Sequence, residues 1–154
     1  MIRKIVLLLA VYAIAMALLE SATVVYLREL YYPGGFFIQS ASDLKVISKN
    51  ILIIEIWREV ATIMMLGAVS SLAFAGYKNR LAAFLWIFSI WDLFYYFFLY
   101  VFLGWPSSFG TLDVYFLIPW PWIGPVWLPL VIFSVLAAGS LWYLLAAPRN
   151  LKNL

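Results

Sequence analysis

Four stretches of this chain are each long and apolar enough to cross a bilayer, and little of it lies outside them. A membrane span needs about 20 mostly apolar residues. The stretches run from Ile5 to Leu27, Ile51 to Gly76, Leu81 to Leu103 and Ile123 to Ala147. Composition agrees: 67% of the 154 residues are hydrophobic and only 11% are charged. Soluble domains average about 45–50% apolar and about 25% charged. The expected fold is all-α: a single integral membrane domain built as a four-transmembrane-helix bundle. Small residues on helix faces fit close packing in lipid: Ala10, Ala13 and Ala17 in helix one, Gly67 and Ser71 in helix two, Ala138 and Gly139 in helix four.

Helix one is expected to stop before Pro33-Gly34-Gly35, and Pro148 to close helix four. Helices two and three are joined by Tyr77-Lys78-Asn79-Arg80, a tight antiparallel connection. Arg3 and Lys4 precede an apolar run with a cleavage-like Ala15-Met16-Ala17, but that run continues past it, so it reads as an uncleaved first helix. With four spans, Arg3, Lys4, Lys78, Arg80, Arg149 and Lys152 share one side. The connection from Trp105 to Trp122 carries no Lys or Arg. The positive-inside rule then puts both termini in the cytoplasm, with Lys45 and Lys49 weakening the contrast without reversing it. The expected location is a bacterial-type inner membrane or its equivalent. The Trp-, Tyr- and Pro-rich third connection reads as an interfacial aromatic belt over the helix ends.

Residues that are missing exclude whole chemistries. There is no cysteine and no histidine, so thiolate and imidazole metal sites, disulfides and histidine-based triads are out. No metal and no cofactor are expected. The modest basic charge lies in loops, where it reports topology rather than nucleic-acid binding.

What remains is a set of ionisable groups inside the spans: Glu20, Glu55, Arg58, Glu59 and Asp92. A charge near the bilayer centre costs roughly 2.5–3.5 kcal/mol on insertion scales, so it is kept for a reason. With about 1.5 Å of rise per residue, the four acids fall in the middle-to-outer half of the bilayer. Glu55 and Glu59 share a helical face with Arg58 on its flank, and Tyr95 and Tyr96 follow Asp92 within a turn. Four carboxylates against one guanidinium cannot all stay ionised in a poorly solvated site, so at least one is expected to hold a proton. A bland reading stands beside this one: Glu55, Arg58 and Glu59 as an ion-paired belt at the outer interface. Arg28 and Glu29 read as interfacial anchors and Asp113 as a loop residue.

The same positions resemble a known family. Helix one reads ESATVVYLREL from Glu20, helix two EVATIMMLG from Glu59, helix three Asp92-Leu-Phe-Tyr95, and helix four has Trp127 and Pro129. This pattern is similar to the EXPERA membrane domain of the emopamil-binding and sigma-2 receptor family. The resemblance implies a cavity for a hydrophobic ligand lined by Glu20, Glu59 and Thr62, with Asp92 and Trp127 nearby. Carboxyl acid/base chemistry on a lipid double bond would then fall to Glu20, Glu59 and Asp92. Ligand contacts would fall to Glu55, Arg58, Thr62, Tyr95, Tyr96 and Trp127, and a cation would face Trp57, Trp91 or Trp127. The chain has Met16 where family isomerases carry His, and Gly124 where they carry Asn. Those departures favour binding, transport or another lipid-modifying role over sterol isomerisation.

The leading expectation is a membrane protein whose acidic intramembrane cavity binds a sterol- or isoprenoid-like molecule or a lipid. Two others stay open: an accessory subunit of a homo-oligomer or larger membrane complex, with acids pairing to a partner's cations, and a proton or cation pathway through Glu20, Glu59 and Asp92.

Overall fold

The computed structural model describes residues 2–146; Pro148, Arg149 and Lys152 lie outside the described residues. Four long helices account for most of these: α1 (Ile2–Tyr31), α2 (Lys49–Ala73), α3 (Tyr77–Leu103) and α4 (Trp127–Ala146). Three of them, α1, α3 and α4, are long and apolar enough to cross a membrane, whereas α2 carries Lys49, Glu55, Arg58 and Glu59 in its first half.

The helix ends differ from the sequence reading for local reasons. α1 runs one turn beyond Leu27, to Tyr31, and stops where Pro33 disfavours helical backbone at Tyr32. α2 ends at Ala73, so the tight connection lies at 74–76 instead of 77–80. Gly76 there has φ +79°, a backbone region that favours glycine. The carbonyls left over at this end are satisfied from the next helix: Asn79 Nδ2 donates to Ala75 O and Arg80 Nε to Phe74 O, each at 3.1 Å. α4 starts at Trp127 and not Ile123, because Trp122–Pro125 forms strand β2, paired antiparallel with β1 (Leu112–Phe116). The aromatic third connection is therefore a hairpin. Gly124 sits where Tyr115 folds over it, and a side chain there would meet the phenol, whose hydroxyl donates to Pro125 O at 2.6 Å.

α3 is the hub: it packs against α1, α2 and α4, while α1 and α2 scarcely approach one another. α1 and α3 run parallel. Trp86 Nε1 donates to Val6 O near one end and Ser21 Oγ to Tyr95 O toward the other. The apolar core around α3 includes Leu9, Ala13 and Ala17 of α1, Leu66 of α2, Ile87 of α3 and Leu144 of α4. Ala13 and Ala17 are fully buried, the close approach expected of small residues. The prediction for α4 misses by one position: Ala138 and Gly139 face outward, and Ala137 and Ser140 are buried. Gly67 on α2 likewise has open space beside it.

The outer surface is apolar. Leu19, Met64, Val135 and Trp142 are each about 67–73% exposed. A soluble monomer does not leave so much large apolar side chain in water. Lipid contact is the environment this surface fits.

The two connections at one end of the bundle form a cap. The α1–α2 connection contains a short 3₁₀ turn, Ala41–Val46, whose Asp43 carboxylate accepts the Gln39 and Ser40 amides at 2.8 and 2.9 Å. Those bonds hold the Asp43 carboxyl below the usual range, so the turn loses them only as pH falls through that lowered value. Ile38, Leu44 and Ile47 then pack against Val114, Leu117 and Ile123 of the hairpin region.

The Gly76 geometry gives a direct test. Gly76→Ala forces a side chain into a conformation costing about 1–3 kcal/mol. Thermal unfolding in detergent should show a destabilisation of that order, with Gly67→Ala, where there is room, close to neutral.

Candidate functional site

Because α1 and α2 both pack on α3 but not closely on each other, a gap remains between them under the cap. A charged cluster fills it. The Arg58 guanidinium, projecting from α2, bonds Glu20 on α1, and its Nε and Nη2 hold Glu55 Oε2 at 2.8 and 2.7 Å. One guanidinium thus spans two helices. The i,i+3 spacing of Glu55 and Arg58 places both on the inward flank of α2. The bland belt reading holds for the Glu55–Arg58 pair but not for Glu59, which makes no salt bridge among the described residues, and Arg58 also reaches across to α1.

Glu59, one turn deeper, accepts the Leu117 amide with both carboxylate oxygens at 3.0 Å. The chain just beyond β1 therefore reaches down to a carboxylate on α2. Asp92 of α3 is buried; among the described residues it has no salt-bridge partner and its Oδ2 no hydrogen-bond partner. Trp91 Nε1, beside it, is likewise unpartnered.

These groups line one recess of about 110 Å3. Its walls include Glu20, Glu55, Arg58, Glu59, Asp92, Tyr95 and Tyr96, so seven of the nine expected site residues converge on it. Thr62 and Trp127 do not. Thr62 is buried lower on α2, and Trp127 is 48% exposed at the start of α4. Of the tryptophans expected to face a cation, Trp91 lines the recess and Trp57 points outward.

Two further lining residues have roles that differ from the sequence reading. Arg28 is not an interfacial anchor and Asp113 is not a free loop residue. Both are buried and joined by a salt bridge, Arg28 Nη2 to Asp113 Oδ1 at 3.1 Å. The Arg28 guanidinium carbon also lies 3.9 and 3.8 Å from the ring centres of Phe36 and Trp105, two rings whose planes are 76° apart, while its Nε and Nη1 have no hydrogen-bond partner among the described residues. A signal existed: Asp113 is the one acid in a long aromatic connection that lacks any cation. Glu29, by contrast, is exposed as an anchor should be. With this pair counted, the recess presents five carboxyl groups and two guanidiniums.

Burial pushes the Asp113 carboxyl up and Arg28 pulls it partly back. A carboxyl raised above its unfolded value stabilises the fold below that value and ceases to as pH climbs through the folded one. Arg28→Met should cost about 3–5 kcal/mol at neutral pH, since it leaves Asp113 buried without its cation. Part of that loss should return on acidification, or when Asp113→Asn is added. Unfolding curves across pH for the single and double variants check this.

Compared with known protein families, curated proteins and solved structures, the chain matches none.

Proposed function

We propose that this protein is a four-span membrane protein that binds a hydrophobic molecule through a hydroxyl or cationic group in the acidic recess. The observation that carries the reading is Asp92, a buried carboxyl lining the recess, with no cation paired to it and an Oδ2 that nothing among the described residues satisfies. Buried polar atoms are rarely left so, and a recess lined by such an atom is where a ligand's donor fits. Excess carboxyl over guanidinium favours a donor or a cation and disfavours an anion.

The inward direction of the acids also bears on the other readings. Carboxylates kept for a partner subunit would face lipid, whereas Glu55 and Asp92 are buried. Likeness to the EXPERA pattern at Glu20, Glu59 and Asp92 belongs to this proposal. A binding role suits it better than sterol isomerisation, because Met16 cannot shuttle a proton and Gly124 has Tyr115 against it.

The topology is part of the same proposal. α2, at 25 residues, spans about 37 Å at the usual helical rise, enough to cross despite its charges. The α1 N-terminus and the α2–α3 turn then lie in the cytoplasm with their basic residues, and the cap faces out. With no native cysteine, single cysteines read this directly. A membrane-impermeant maleimide should label Ser108→Cys in intact cells and Lys78→Cys only after permeabilisation; the reverse pattern contradicts the orientation.

For the site itself, organic extraction of the purified protein followed by mass spectrometry should yield a bound hydrophobic molecule. Asp92→Asn should lower its occupancy tenfold or more, while Gly67→Ala leaves it unchanged. Absence of any retained molecule from the wild-type protein would overturn the reading.

A further inference from the structure

The volume of the recess limits what can sit in it. Sites that enclose a drug-sized ligand measure about 300–1,000 Å3. At about 110 Å3, the acidic recess holds a small polar group and not a fused ring system. The apolar remainder of any ligand must lie elsewhere.

A second hollow lies against the first. It is a groove of about 450 Å3 between α3 and α4 under the cap, lined by Leu93, Phe97, Tyr100, Phe109, Val126 and Leu130 among others. Tyr96 lines both spaces. Its ring is buried, stacks on Trp105 at 6.3 Å and meets Tyr95 edge-on at 5.0 Å. Tyr96 is therefore a wall residue shared by the acidic recess and the hydrocarbon-lined groove. A third hollow, of about 470 Å3, also opens between α3 and α4, but at the opposite end, beside Gly139 and Tyr143, and shares no wall with the recess.

Resting on the reading above, we propose that the ligand is a single-chain amphiphile with a small hydroxyl or ammonium head. The head occupies the acidic recess, the chain passes the Tyr96 ring, and the tail lies in the α3–α4 groove. Three observations select this class. The recess admits only a small head, its carboxyl excess rejects phosphate and carboxylate heads, and the adjoining space is lined almost wholly by apolar side chains. A rigid polycyclic molecule has no place for its ring system in the acidic lobe.

Photolabelling of the full chain in lipid nanodiscs tests this. The probe is hexadecanol carrying a diazirine at the chain terminus. Expected adducts that unlabelled hexadecanol competes away map to Leu93, Phe97 and Leu130. Palmitic acid should not compete. Leu130→Trp should remove the competed adducts, and Gly139→Trp, at the far hollow, should not. Asp92→Asn should reduce them tenfold or more, but the wild-type map decides the question even if that variant fails to fold. Competed adducts on the α1–α2 side, at Leu19 or Trp57, would overturn the placement of the tail and leave the proposed function standing. A map with no competed adduct, together with no molecule extracted from the purified protein, would sink both.

Discussion

A buried ion must find a partner, and here that demand ties together two helices that otherwise barely meet. Arg58 bridges Glu55 on its own helix and Glu20 on α1, across the gap where the backbones stand apart. Replacing such a cluster with apolar residues would often cost nothing in stability. What the ions do is fix the width of the gap and keep polar groups at its lining. The recess exists because α1 and α2 are held together by long charged side chains instead of packed small ones.

The cap depends on the same economy of charge. The hairpin is fastened at two places, through Asp113 to Arg28 on α1 and through the Leu117 amide to Glu59 on α2. Both links join a cap segment to a helix that borders the gap. Cap residues Asp113, Val114 and Leu117 thereby become part of the recess lining. Asp92 then stands out as the acid with no link of this kind. Glu20 and Glu55 have Arg58, Asp113 has Arg28, and Glu59 has a backbone amide. Asp92 alone of the five has no such partner among the described residues.

Much of this was legible in the residues because membrane insertion makes charge expensive. Glu20, Glu55, Arg58, Glu59 and Asp92 could be singled out one by one, and depth counting along helices predicted that they would meet. Helix boundaries were less legible for a local reason. Apolar content does not distinguish Ile123 in a strand from the same residue in a helix, nor does it mark Phe74, whose extended backbone ends α2. Thr62 and Trp127 were assigned by likeness to a family pattern and not by any cost of burial; the fold leaves both outside the recess. Arg28 and Asp113 were misread because they are 85 residues apart. Nothing local in either segment shows that a hairpin will fold back and bury the pair.

Charges on separate helices act as one unit across the gap, and a double-mutant cycle on Glu20 and Arg58 measures that coupling. Unfolding free energies of Glu20→Gln, Arg58→Met and the double variant, taken in one detergent, give their coupling. Residues sharing such a network couple by about 0.5–3 kcal/mol, and a value near or above about 1 kcal/mol is the result predicted here. Additivity within about 0.3–0.5 kcal/mol, the behaviour of independent sites, would contradict it.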